Sequence, residues 1–429
     1  MRVLFVTAAF KAHLYVQVPL AAAFRNAGHD VRVAAAPDMA DIIATTGLPG
    51  FPVGGTIDLA AIMSAPEQQP GPPRSGPVRK PAQTEYTQDD PFTELEYTAW
   101  GHRTLFNHEK IFDDLIKLGR DWQPDLIIRD PFVLAAAVAA RVCGAVDVRM
   151  LFGSDTMGQI RAACFGAGNG RQRSLGKPDP VRDWLQPILE SHGQTFDEQI
   201  VLGLRSVIGW PAWTWQPPDV HYLPTRPLAF HGPYRVERWM HEAPARPRVC
   251  VTLGISHRDH GFGQNSWVGT AFDAVADLDA EVIALFNPAQ IGSRTVPPNV
   301  RVVEFAPLNV LLPTCSAVVH HGGYGAMAAA LEYGVPQLIV PNVESTEKWW
   351  GPIALANGLE EQGAGAYVCD SDQLTAGLLH DHLVKALGDP GMAANAIRLS
   401  REAKSVPSPN DTVRVLEDLV AEQRAPGRR

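Results

Sequence analysis

With 429 residues, 45% of them hydrophobic, the chain is long enough for two domains that each bury a substantial core. A formal charge of −9 argues against nucleic acid or an anionic membrane as the main partner, and the closing RAPGRR reads as a short solvated tail. The five cysteines (Cys143, Cys164, Cys250, Cys315 and Cys369) are far apart, odd in number and lack CxxC spacing, which suits reduced, mostly buried thiols in a cytoplasmic protein.

Residues 2–9, RVLFVTAA, form an unbroken apolar run, the pattern of a strand buried on both faces, and lack the small-residue cleavage site of a signal peptide. No apolar run reaches the ~18 residues that span a bilayer. LYVQVPLAAAFRNAGH then reads as a helix closed by Gly28, and DVRVAAA as a second strand, so the first sheet is expected to be parallel. Residues 65–91 hold many prolines and few large apolar groups and read as a mobile loop, followed by helical patterns to about residue 120. DLIIRD, the helix FVLAAAVAARVCGA and VDVRMLF continue the βαβ rhythm. Residues 210–247 are rich in Pro and Trp and suit a rigid interdomain connection. From Arg248 the rhythm restarts with RVCVTLGIS, EVIALF, VRVVEF, AVVHH and QLIVP. The expected fold is α/β, with two facing doubly wound, Rossmann-like domains. The expected divisions are a first domain at 1–225, a linker at 226–247, a second domain at 248–405, and a closing helix and tail at 406–429; the resemblance given below makes the first the acceptor-binding and the second the donor-binding domain, with the closing helix crossing back.

Three places carry candidate chemistry. In VVHHGGYGAMAAALE a strand ends at two histidines and a helix begins near Gly325. Free N–H groups and the dipole at a helix start favour an anion, and Gly322, Gly323 and Gly325 let a ligand approach the backbone. His321 adds a donor for a phosphate oxygen. The block matches neither the P-loop nor the dinucleotide fingerprint, and no further residues stand at metal-ligand spacing. The competing role for the glycines is a tight βα turn alone, and the spacing favours phosphate binding. His13 follows the first strand, where a near-neutral imidazole suits a general base or a helix-start polar group. Asp130 ends a third strand, where it could orient His13 or cap the helix after Pro131.

The whole chain resembles the GT-B natural-product glycosyltransferases, most closely the deoxysugar transferases of macrolide and anthracycline biosynthesis, the erythromycin desosaminyltransferase among them. VPLA-AFR-AGH-VRV, RVCVTLGIS, LLPTC-A-VHHGG and the late PSP carry the likeness. The resemblance implies an inverting transfer of a deoxysugar from a TDP-sugar to a hydroxyl of a polyketide aglycone. It makes His13 the base, Asp130 its partner carboxylate, and His321, Gly322 and Gly323 the pyrophosphate contacts. Phe305, Ala306, Pro307 and Leu308 match the segment that packs on the nucleotide base, and Ser256 a phosphate or interdomain contact.

Two positions depart from the family. Ala326 stands where many relatives have Ser or Thr. Ser345 and Thr346 stand where many have Asp-Gln, with Glu344 adjacent. The second departure suits a donor with fewer hydroxyls, an amino-deoxysugar included. An acceptor wall is assigned to Tyr86, Phe92, Tyr97 and Trp100, with packing as the competing role. No cofactor or metal is expected. The resemblance adds an auxiliary protein related to haem monooxygenases, docking around residues 92–120, and admits a homodimer. Competing readings are a nucleotide-sugar epimerase on this fold and a helper protein that kept the fold without the chemistry.

Overall fold

The computed structural model describes residues 1–56, 91–166, 176–256, 267–341 and 351–425. Apart from Pro91, which opens a helix, the expected loop at 65–91, Tyr86 included, lies outside the described residues, as do Glu344, Ser345 and Thr346.

The first sheet has seven strands: β1 (Arg2–Val6), β2 (Asp30–Ala35), β3 (Gly50–Pro52), β4 (Leu126–Arg129), β5 (Val146–Leu151), β6 (Arg205–Ile208) and β7 (Tyr222–Pro224). Their order is β3-β2-β1-β4-β5-β6-β7, every pair parallel. The apolar run of β1 explains itself in this setting. Leu4 and Val6 enter one core cluster and Val3 and Phe5 the other, so both faces of the sheet are buried. Helices on this side include α1 (Lys11–Asn26), α2 (Pro91–Gly101), α3 (Glu109–Trp122), α4 (Leu134–Cys143) and α5 (Thr156–Phe165).

The second sheet has β8 (Arg248–Thr252), β9 (Glu281–Leu285), β10 (Val300–Val303), β11 (Ala317–His320), β12 (Gln337–Ile339) and β13 (Gly365–Tyr367). Their order is β10-β9-β8-β11-β12-β13, again all parallel. Helix α6 (Tyr324–Tyr333) follows β11, and α7 (Pro409–Arg424) closes the fold. Helix α7 returns to the first sheet. Its Val413, Leu416, Leu419 and Val420 join the cluster built on β1 and α1, and Glu417 bonds His29 at 2.8 Å.

In each sheet the chain builds outward in one direction, then returns to the first strand and builds the other way. The reversal falls between β1 and β4, and between β8 and β11. The loops after those strands diverge and leave a crevice at the carboxyl edge, which is where sheets of this kind bind ligands.

The Pro- and Trp-rich stretch is more than a connection. Tyr222–Pro224 within it forms the edge strand β7, a place where proline costs no ladder hydrogen bond. All five cysteines are free thiols. Among the described residues no helix is long and apolar enough to cross a membrane.

Candidate active site

Three of the four reversal-point loops, those after β1, β8 and β11, line one cavity of about 190 Å³, and the loop after β4 stands behind His13. From the first sheet, His13 sits in the opening turn of α1, just past β1, and Asp130 follows β4 directly. The Asp130 N–H donates to the Val6 carbonyl at 2.8 Å, which prolongs the β1–β4 ladder by one residue and fixes the carboxylate behind the imidazole. His13 Nδ1 lies 2.7 Å from Asp130 Oδ2, and Asp130 Oδ1 accepts from the Phe132 N–H at 2.9 Å. An ionised carboxylate only accepts, so Nδ1 carries the proton and Nε2 keeps its lone pair. The His13 side chain is 12% exposed and that of Asp130 only 2%, so a ligand reaches the imidazole and not the acid.

Asp130 therefore does not cap the next helix. Helix α4 starts at Leu134 with Val133 as its N-cap and no side-chain cap bond, while Asp130 closes a tight turn on Phe132. The imidazole is boxed by aromatic rings, with centroids of Phe152 at 4.0 Å and of Phe10 and Phe132 both at 5.3 Å.

From the second sheet, the two histidines of the HHGG block divide into separate roles. His320 is fully buried; its Nε2 lies 3.0 Å from Gln337 Oε1 and its Nδ1 accepts from the Gly322 N–H at 3.1 Å. Burial lowers its pKa to about 4, against a smaller opposing effect of the Gln337 bond, so it is a neutral brace for the turn. His321 lies in the cavity wall instead, held between two glycines. A Cβ on Gly254 would stand 2.5 Å from its Cε1, and one on Gly323 2.6 Å from its Nε2. Gly254 and Gly322 also have φ of +78° and +94°, where other residues are strained. Helix α6 begins with Gly323 as N-cap and no side-chain cap bond, so its first N–H groups are left for something other than a side chain.

Ser256, Phe305, Ala306, Leu308, Gly322, Gly323 and Gly325 all line the same cavity as His13 and His321. Ala326 lines it too and brings no hydroxyl. Gly325 is open, since a Cβ there would meet nothing within 4 Å. The acceptor wall fares differently. Phe92 is 6% exposed and packs edge-on against Phe165 at 5.6 Å, inside the first domain's core. Tyr97 and Trp100 pair with each other on α2 at 6.0 Å, and neither is among the residues lining the cavity.

Other walls were not anticipated from the sequence. Residues 228–231 of the expected linker line the cavity, as do Phe152 and Tyr324. His231 there accepts from the Asn309 N–H at 3.3 Å, and burial lowers its pKa to about 4. Phe152 had a readable signal, because it follows β5 at the same sheet edge as His13 and Asp130. Among the described residues no three His, Cys, Asp or Glu side chains gather as a metal-binding group.

Comparison with known proteins decides the lineage. A family model described as erythromycin biosynthesis protein CIII-like matches in two parts, its N-terminal domain on residues 22–254 and its C-terminal domain on residues 269–419. The chain belongs to this family. It is a glycosyltransferase. Aclacinomycin-T 2-deoxy-L-fucose transferase of Streptomyces galilaeus is 40% identical, over 99% of this chain and 97% of the relative. The 3-alpha-mycarosylerythronolide B desosaminyl transferase of Saccharopolyspora erythraea is 36% identical, over 99% of this chain and 100% of the relative. Among solved structures, the spinosyn forosaminyltransferase SpnP superposes with a TM-score of 0.80 at 34% identity, over 98% of this chain and 99% of that one. The glycosyltransferase VinC, solved in complex with dTDP, gives 0.81 at 35%, over 98% and 100%. Two facing parallel-sheet domains of the GT-B kind are thus the fold of this erythromycin CIII-like chain and of its neighbours.

Proposed function

We propose that this chain transfers a deoxysugar from a TDP-sugar to a hydroxyl of a polyketide-type aglycone, with inversion at the anomeric carbon. One observation carries the reading: the His13 imidazole, backed by the Asp130 carboxylate, and the glycine-flanked histidine and helix start of the second sheet line a single cavity. In the reaction, His13 Nε2 takes the proton as the acceptor oxygen forms its bond to the anomeric carbon. Asp130 holds the tautomer and stabilises the imidazolium that results. The bond from the anomeric carbon to the phosphate oxygen breaks on the other side, and the charge leaves on the diphosphate. The N–H groups at the start of α6 and the His321 ring are assigned to stabilise that charge.

Phe305, Ala306 and Leu308 take the thymine end of the donor, and Ser256 a phosphate oxygen. Glu344, Ser345 and Thr346 are assigned to the sugar, with the carboxylate of Glu344 suited to an amino-deoxysugar. This charge handling calls for no metal. An auxiliary protein on the helices around residues 92–120, or a second copy of the chain, belongs to the proposal; full activity of the isolated monomer would remove both.

Calorimetry of TDP and UDP on wild type and His321→Ala, followed by transfer assays on wild type and His13→Ala, tests the reading. TDP is expected to bind more tightly than UDP, His321→Ala to weaken it, and His13→Ala to retain TDP while losing transfer. No binding of either nucleotide would overturn the donor assignment, and turnover of the TDP-sugar without any acceptor would favour the epimerase.

A further inference from the structure

The two halves of the cavity come from different sheets. His13 and Phe152 stand on the first domain, and His321 and the start of α6 on the second. Domains of one chain move against each other by default unless the interface between them is large and apolar. Beside this site it is apolar. Leu151 and Ile208, which end β5 and β6, and Trp210 just past β6 form one buried cluster with Met327 and Leu331 of α6 and with Leu355 of the helix Pro352–Glu361. That cluster belongs to neither domain alone.

Two aromatic side chains cross the seam in opposite directions, each onto a glycine. Tyr324, the first residue of α6, reaches Gly209 of the first domain. A Cβ on Gly209 would stand 2.2 Å from the Tyr324 hydroxyl oxygen and 3.2 Å from its Cζ. The same ring packs against the core built on β1 and α1. Trp210 reaches the other way, to Gly351, where a Cβ would stand 2.7 Å from Trp210 Cζ2. Both aromatic residues also line the cavity.

The two glycines exclude a side chain for different reasons. Gly351 is the N-cap of the helix Pro352–Glu361 with φ of +131°, a backbone that strains any other residue. Gly209 is not among the residues of positive φ, so its backbone would accept alanine. There the Tyr324 hydroxyl alone fills the space below the 3 Å that a real Cβ requires. Tyr324 thus has two attachments. Its N–H belongs to the helix start assigned to the diphosphate, and its ring is seated on the residue that follows β6. In-line displacement depends on the distance between those two places, since a misplacement of about 1 Å costs on the order of 10²-fold in rate.

We propose that the seat of Tyr324 on Gly209, with Trp210 on Gly351 as its counterpart, sets the register between His13 and the start of α6. Both aromatics are positioning residues, acting through the elements they join and not on the reacting atoms. The inference rests on the transferase reading above and adds what holds the two halves of its site in reach of each other.

The test is a double-mutant cycle in the full chain on Gly209→Ala and Tyr324→Phe. Its substrates are a TDP-deoxysugar and three aglycones taken from the names of relatives, aklavinone, tylactone and 10-deoxymethynolide. Once the hydroxyl is gone the nearest atom to the new Cβ is Cζ at 3.2 Å, a contact that a shift of a few tenths of an ångström relieves. Gly209→Ala is therefore expected to lower kcat about ten- to hundredfold in the Tyr324 chain. In the Tyr324→Phe chain the same change should lower it no more than about twofold. TDP affinity and acceptor KM, each read on one domain, should move far less than kcat. Should Gly209→Ala alone not fold, Trp210→Leu loosens the same seam by removing a ring, and it should lower kcat while keeping TDP affinity.

An equal loss of kcat in both backgrounds would overturn the inference and leave the transferase reading intact. So would a Gly209→Ala or Trp210→Leu variant with wild-type kcat, whatever its unfolding midpoint, since the aromatics would then serve packing alone. A wild type that binds TDP yet transfers to none of the three aglycones would overturn the transferase reading, and this inference with it.

Discussion

Replacing Asp130 by Asn separates the role of the carboxylate from its role in the fold. In the wild type Oδ1 is taken by the Phe132 N–H at 2.9 Å and Oδ2 by His13 Nδ1 at 2.7 Å. An asparagine keeps the first bond with its carbonyl oxygen, which leaves its NH₂ facing His13. That group can only donate, so His13 must present a bare Nδ1 to it and carry its proton on Nε2. The nitrogen that should receive the acceptor's proton is then already occupied. The loss expected is that of general-base catalysis, about 10²- to 10⁴-fold in the rate of transfer, or about 3–5 kcal/mol of barrier at 1.36 kcal/mol per decade.

Stability should change little, because Asp130→Asn keeps the Phe132 bond. Asp130→Ala is the contrast: it removes the acceptor of the His13 N–H among Phe10, Phe132 and Phe152, together with that of the Phe132 turn bond, which costs about 1–3 kcal/mol for a buried donor. Single-turnover transfer, with TDP affinity measured in parallel, reads the difference. An Asn variant within about threefold of wild type at equal TDP affinity would refute the base–orienter reasoning.

Gly254→Ala places a Cβ at φ +78° and against the His321 ring, so it should weaken TDP binding about ten- to hundredfold, as loss of a hydrogen bond to a charged group does; calorimetry reads it, and unchanged affinity would remove His321 from the diphosphate site. Glu94, buried with Oε2 unpartnered, has its pKa raised from 4.5 to about 7 by burial. Between those values the native state holds the proton and the unfolded chain does not, so stability falls as pH rises from 4.5 to 7 and is flat above. Glu94→Gln should therefore be more stable than wild type at pH 8 by up to about 3 kcal/mol, with the gain fading toward pH 4.5 in denaturant titrations. Leu416→Ala removes a fully buried side chain of α7 from the first domain's core and should cost about 2–5 kcal/mol; a negligible loss in denaturant titration would mean that α7 does not stabilise that domain.

The sequence shows clearly what depends on local pattern and on strand order. The run RVLFVTAA reads as a buried strand because Leu4 and Val6 serve one core and Val3 and Phe5 the other. His13 and His321 are visible because both follow strands at the reversal points of parallel sheets, so the topology that buries the sheets also brings those loops to one cavity. Position in the chain does not report burial. His320 and His321 are adjacent and chemically identical in the sequence, yet one braces a turn through Gln337 and the other lines the cavity. Only the pleat and the two flanking glycines distinguish them.

Phe92 fails as an acceptor contact for the same reason. An aromatic residue near a loop serves a core as readily as a pocket, and Phe165, far away in sequence, settles which. Pro and Trp around residues 228–231 mark a rigid connection, yet this segment also forms a wall of the cavity.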